Sequence, residues 1–216
     1  MTVDLDQLTR VVTIVWAIFG FFLGSLMFSY WIGRWMLHRD LRDVGDGNPG
    51  ATNVMKVGGI GIGLLALLLD ALKGAIPVSI AKYVLGLSGW PLVIIALAPI
   101  FGHAFSPFLR FRGGKAVAVS AGVWTALTLW EAPTLGGIVL GVWFSIVEVS
   151  GWAVLLMGLC LLGYYLLTDR DPVLLSVLVV NLTLVAWKYR ADLRQPPGLR
   201  RWVRRLLPRQ SGSLGS

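Results

Sequence analysis

With one cysteine, two histidines and a charged fraction of only 14%, this 216-residue sequence is poor in the side chains that soluble catalytic sites are usually built from. The lone thiol, Cys160, lies in an apolar stretch; it excludes a disulfide framework and is expected to be a buried structural group. Two histidines and one cysteine give no zinc-ligand spacing. Gly-x-Ser-x-Gly and the P-loop pattern Gly-x-x-x-x-Gly-Lys-Ser/Thr are also missing, so neither a metal nor a cofactor is expected. Soluble domains carry roughly 25% charged residues. Here 56% of residues are hydrophobic and mean hydropathy is +0.74, more apolar surface than a water-facing fold can hide. The bilayer is therefore the expected solvent.

What is present are apolar runs long enough to span. A spanning helix needs about 20 apolar residues, fewer where the segment is short or kinked. On this basis spans are predicted near residues 11–33, 60–82, 90–108, 116–131, 134–149, 151–167 and 173–189. The expected fold class is all-α: a polytopic membrane protein, a seven-transmembrane-helix bundle with cytoplasmic-side loops. Residues 1–207 form its one domain, and 208–216 read as a flexible tail or a cloning scar. The start carries Asp4 and Asp6 before its first basic residue, unlike a secretory signal.

The net charge of +8 sits between and after the apolar runs. That placement fits membrane topology rather than nucleic acid, which is not expected as a partner. Fifteen of the 19 basic residues fall in three regions, 34–56, 110–115 and 188–209. Seven spans bring these regions to one side, which the positive-inside rule makes cytoplasmic, leaving the N-terminus outside and the C-terminus in the cytosol. Residues 199–207 mix cationic and apolar positions at helical spacing, as a segment lying on an anionic membrane surface would. An orienting tail without a specific partner reads equally well. No internal repeat points to a transporter built from paired halves.

Two loops on the cytoplasmic side break the apolar pattern. Residues 40–53 set Gly45, Gly47 and Gly50 among Asn48, Thr52 and Asn53, a composition that lets successive N–H groups form an anion nest. Arg42 offers a guanidinium fork for phosphate. An ordinary turn-rich connector is the competing reading. Residues 102–115 end in Arg112, Gly113, Gly114 and Lys115 ahead of the fourth span, placing an ammonium beside a helix N-terminus. His103 is either a proton carrier or phosphate donor, or a buried structural histidine. Asp70 and Lys73, three apart inside the second span, share a helix face and pair. Charges at that depth face a bundle interior, either as a structural pair or in support of the site loops. Ser25, after Gly24 in the first span, is a weaker candidate because membrane hydroxyls usually bond their own backbone.

These segments resemble a known family. Residues 47–53, Gly-Asn-Pro-Gly-Ala-Thr-Asn, and 102–115, Gly-His-Ala-Phe-Ser-Pro-Phe-Leu-Arg-Phe-Arg-Gly-Gly-Lys, are similar to signatures of PlsY-type bacterial glycerol-3-phosphate acyltransferases. So are residues 69–78 and the Gly24-Ser25 pair, in the same order along the chain. The resemblance implies a seven-span bundle with an outside N-terminus. It also implies transfer of an acyl chain from acyl phosphate to the 1-hydroxyl of glycerol 3-phosphate, giving lysophosphatidate, with the acyl tail among membrane lipids and apolar helices. By position, Ser25, His103 and Lys115 would serve the reacting centre. Arg42, Gly47, Asn48, Thr52, Asn53, Arg112, Gly113, Gly114, Lys188 and Arg194 would bind phosphate or glycerol, and Asp70 and Lys73 would brace them.

The sequence departs from that pattern in places. Asp46 stands where the family has Ser, and Ala116 where it has Gly. The family's third signature runs His-x-x-Asn-Ile-x-Arg-Leu, then Gly-x-Glu. Matching Arg194 and Gly198 to it puts Lys188 at the histidine, Ala191 at the asparagine and Arg200 at the glutamate. An altered acyltransferase and a divergent relative that binds a phosphorylated ligand or anionic lipid without turnover are both compatible with that third segment.

Overall fold

In hydrocarbon each backbone N–H and C=O must find its partner within its own segment, so long apolar runs become helices. The computed structural model describes residues 5–168 and 171–206. Its helices are α1 (Leu5–Ser25), α2 (Phe28–Trp31), α3 (Ala51–Ser79), α4 (Gly89–Ala104), α5 (Val117–Thr128), α6 (Glu131–Ile146), α7 (Ser150–Thr168), α8 (Pro172–Lys188), α9 (Arg190–Leu193) and α10 (Arg201–Leu206). Among the described residues there is no strand, only an isolated bridge between Val147 and Leu199. The predicted tail, 208–216, lies outside the described residues, as do Leu207 and Arg170.

Four stretches are long and apolar enough to cross a membrane: Leu5–Met36, Ala51–Val84, Gly89–Leu109 and Ser150–Thr168. The other three predicted spans are apolar helices of 12, 16 and 17 residues. At 1.5 Å per residue α5 is only ~18 Å long. The outer faces of α1 and α3 carry Val11, Ile14, Ile18, Phe22, Ile60, Leu64 and Leu68 largely exposed, a surface that suits lipid. Cys160, expected to be buried, is exposed on α7. In an apolar run every face is apolar, so the sequence carried no sign of which one turns outward.

Close backbone approach at small residues holds the helices together, as membrane packing requires. A Cβ on Gly102 of α4 would lie 2.0 Å from Phe21 O of α1, and one on Gly122 of α5 would lie 1.8 Å from Ala71 O of α3. The core between α4, α5 and α8 is filled by Ile95, Ile100, Val119, Val123 and Val177.

Two breaks interrupt the long helices. α3 kinks at Gly59, whose φ of 81° needs glycine. The predicted first span stops at Ser25 and restarts at Phe28, leaving the last carbonyls of α1 without intrahelical partners. Ser106 Oγ donates to Ser25 O at 2.7 Å, and Lys73 Nζ donates to Leu26 O. An ammonium at a helix C-terminus also complements the helix dipole.

Candidate active site

The Lys73 ammonium forms a 2.7 Å ion pair with Asp70, both side chains 1% exposed, and Ser29 Oγ of α2 donates to the other Asp70 oxygen. This pair on α3 thus ties together the two halves of the broken first span. Ser25 is buried, and its Oγ donates to Phe21 O at 2.7 Å in its own helix.

The first loop is folded around Asn53. Its buried Nδ2 lies 2.7 Å from Val44 O, 2.9 Å from Asp46 Oδ1 and 2.9 Å from Asn48 O, which gathers residues 44–48 into a tight turn. Arg42 turns its fork onto Asp40, with contacts of 3.0 and 2.6 Å, and stacks over the Tyr30 ring at 5.2 Å. The hydrogen bonds from Arg42 hold the Asp40 carboxyl at about 2. Gly47 keeps a positive φ of 71°, and Thr52 is exposed in the first turn of α3.

The second loop folds back on the end of α4. Gly114 N donates to the His103 carbonyl at 3.2 Å. A Cβ on Gly113 would meet His103 O at 1.9 Å, and one on Gly114 would meet His103 Nε2 at 2.3 Å. The glycine pair is therefore required by the loop's own packing, whatever part it has in the phosphate binding that the resemblance implies. His103 is buried, and its Nδ1 has no hydrogen-bond partner among the described residues. Lys188, at the end of α8, donates to Ala104 O at 2.7 Å and Gly113 O at 3.0 Å, clamping this loop to the C-terminus of α4. Arg112 and Arg194 are exposed.

The two loops meet at Lys115. Asn48 Oδ1 accepts its backbone N–H at 3.1 Å, and Asp46 Oδ2 lies 2.8 Å from its ammonium. Burial pushes the Asp46 carboxyl up, but Lys115, with Asn53 and the Asn48 N–H, more than offsets this and leaves it below the usual carboxylate range. Lys115 Nζ also sits 4.1 Å from the Tyr189 ring centroid and 3.4 Å from Asp192 Oδ2 of α9. The fourth span, predicted from residue 116, begins one residue later, at Val117, because Ala116 takes a left-handed φ of 63° where the family pattern has Gly.

Val117 is also a wall of an apolar cavity of about 170 Å³ between α5, α6, α7 and α8, bounded further in by Trp124, Leu140, Met157 and Leu161. Trp124 Nε1 donates to Asn181 Oδ1 at 3.1 Å and Asn181 Nδ2 to Ser120 Oγ at 2.9 Å, so the few polar groups along it are engaged with one another.

Sequence reading missed Asp192 and Tyr189. The signal available for Asp192 was that no other acidic residue occurs between 188 and 209.

A glycerol-3-phosphate acyltransferase family model matches residues 14–196. A Thermotoga petrophila glycerol-3-phosphate acyltransferase is 42% identical over 175 residues, covering 77% of this chain and 85% of the relative. One from Pseudomonas paraeruginosa is 36% identical, covering 83% and 94%. Among solved structures, PlsY, an integral membrane glycerol 3-phosphate acyltransferase, superposes in its glycerol 3-phosphate form with a TM-score of 0.79, 28% identity and coverage of 91% of this chain and all of that one. Its lysophosphatidic acid form gives a TM-score of 0.76 at 29% identity, covering 85% and 90%. Loop geometry, helix order and these matches agree: the chain is an integral membrane protein of the glycerol-3-phosphate acyltransferase family.

Proposed function

We propose that this protein moves an acyl chain from acyl phosphate to the 1-hydroxyl of glycerol 3-phosphate, releasing lysophosphatidate and inorganic phosphate. The observation that carries this reading is the place of Lys115. Its ammonium stands at the crossing of the two loops, two residues from the wall of an apolar cavity. A phosphate on the lysine and a hydrocarbon tail in the cavity are the two ends of an acyl phosphate.

In the step itself the glycerol hydroxyl oxygen attacks the acyl carbonyl carbon. The bond from that carbon to the phosphate oxygen breaks, and the departing phosphate accepts the hydroxyl proton. The protein's contribution is to align the two phosphorylated substrates and stabilise the charge that develops. Lys115 is the direct phosphate ligand in this scheme, with Asn48 holding its backbone. Arg112, Arg194 and Thr52, exposed around the loops, supply further donors. Arg42, Asn53, Gly113, Gly114 and Lys188 shape the loops, while Asp70, Lys73 and Ser25 fix the broken helix beneath them. His103, with an unbonded ring nitrogen, is available to a substrate oxygen. All seven apolar helices cross the bilayer in this reading, with the N-terminus outside and the basic loops and C-terminus cytoplasmic.

Purified protein in detergent, given acyl phosphate and glycerol 3-phosphate, is expected to release phosphate in step with lysophosphatidate. Acyl thioesters should not replace acyl phosphate. Saturable binding of both substrates without product, and product only after Lys188→His, Ala191→Asn and Arg200→Glu are combined, would overturn it for the native chain.

A further inference from the structure

We infer that Asp192 is a substrate-binding residue that accepts a hydrogen bond from the 2-hydroxyl of the glycerol 3-phosphate acceptor, an inference that rests on the acyl-transfer reading above. A carboxylate beside a phosphate-binding lysine weakens the attraction for an anion, so its presence calls for a compensating contact. The two acids at Lys115 differ in what they have left to offer. Asp46 already accepts from Asn53 Nδ2 at 2.9 Å, from Asn48 N at 3.2 Å and from Lys115 at 2.8 Å. Asp192 has a single long contact, 3.4 Å from Oδ2 to Lys115 Nζ, and no other hydrogen bond to its carboxylate among the described residues. Its side chain is only 25% exposed. A half-buried carboxylate oxygen with free lone pairs, next to the ammonium, is an acceptor waiting for a donor.

The carboxylate is also held in place. Trp152 Nε1 donates to Gln195 O at 2.8 Å, and Val149 N and Glu148 N donate to Pro197 O and Gly198 O at 3.3 and 3.1 Å. These bonds pin the turn after α9 to the start of α7. Gly151 provides the room: a Cβ there would lie 2.6 Å from Asp192 Cβ.

Spacing selects the hydroxyl. An ammonium has three N–H donors, so Lys115 can reach the acceptor's phosphate as well as that of the acyl phosphate. The acceptor's phosphate ester carbon and its 2-hydroxyl carbon are adjacent, which brings the 2-hydroxyl toward the carboxylate beside that lysine. The 1-hydroxyl is one carbon further on and must give up its proton during transfer. A desolvated hydroxyl needs an acceptor, and Asp192 is a charged acceptor in direct contact with Lys115 that has capacity to spare.

The test compares two acceptors in the purified full-length chain: glycerol 3-phosphate and 3-hydroxypropyl phosphate, which lacks the 2-hydroxyl. Asp192→Ala should raise KM for glycerol 3-phosphate about 10- to 100-fold, the range for losing a hydrogen bond to a charged group, with KM for acyl phosphate nearly unchanged. Asp192→Asn, which keeps an acceptor oxygen and the same shape, should fall between and also serves if the alanine variant folds poorly. With 3-hydroxypropyl phosphate the loss should shrink to about twofold or less, because the hydrogen bond is absent from the start. An equal KM rise with both acceptors, no change, or tighter acceptor binding in Asp192→Asn would overturn the assignment. If the wild type turns over neither acceptor, the acyl-transfer reading fails. Calorimetric binding of the two phosphates to wild type and Asp192→Asn then still decides Asp192: a preference for glycerol 3-phosphate that the variant loses supports it, and an unchanged preference sinks it.

Discussion

Among the described residues the two shortest lysine–aspartate pairs stand at similar distances, 2.7 Å for Lys73 with Asp70 and 2.8 Å for Lys115 with Asp46, in opposite circumstances. The first is sealed, and both partners have further protein contacts, to Leu26 O and Ser29 Oγ. The second lies where two loops cross, its lysine 14% and its aspartate 44% exposed. A buried pair that neither water nor ligand reaches can only brace. A partly exposed pair can exchange its carboxylate for a phosphate, because it is open to solvent. In the proposed reading the same two residue types therefore serve architecture in one place and binding in the other, and burial separates the roles.

Removing each lysine tests that separation. Lys73→Ala leaves Asp70 charged and unpaired in the bundle, for which about 3–5 kcal/mol of destabilisation is expected. Thermal unfolding in detergent should show it, and Lys73→Met with Asp70→Leu should recover much of the loss. If Lys73→Ala melts with the wild type while losing turnover, the pair is not the brace described here.

Lys115→Ala should do the reverse. A fall of about 10²–10³ in kcat is expected when a donor aimed at developing charge is lost, with a melting shift well below that of Lys73→Ala. Phosphate-release kinetics and a melting curve on the same preparation give both numbers.

The smallest effect is expected from Asp46→Asn. The exposed pair contributes about 1 kcal/mol or less to stability. Because the folded carboxyl titrates below its unfolded value, that contribution is present above the unfolded pKa and is lost as pH falls through the lower folded one. Melting temperature measured as pH drops below the ordinary carboxylate range should therefore decline less for Asp46→Asn than for wild type. At neutral pH the variant should bind inorganic phosphate somewhat more tightly, since Lys115 no longer has that competitor. Weaker phosphate binding would mean that Asp46 mainly holds the loop.

Much of the fold was readable because the bilayer imposes a simple rule: apolar length becomes helix. Each of the seven predicted spans corresponds to an apolar helix, though the ends shift, most at the second, predicted from residue 60 and starting at Ala51 ahead of the kink at Gly59. The loops were readable too, since Asn48, Asn53 and Lys115, set among closely spaced glycines, have no use in hydrocarbon. Their division of labour was not. Asn53 bonds its own loop, Arg42 faces Asp40, and Gly113 and Gly114 make room for His103, and nothing in composition distinguishes those duties from holding a phosphate.

By itself, then, the sequence determined the solvent, the helices and the two loops that break the apolar pattern, because hydrophobicity and glycine content act locally and are legible residue by residue. Only the tertiary structure decided which lysine is sealed and which is open, and that Asp192, 77 residues downstream, joins the surroundings of Lys115. Those outcomes depend on which backbones approach one another, and such approach is set by packing across the whole bundle.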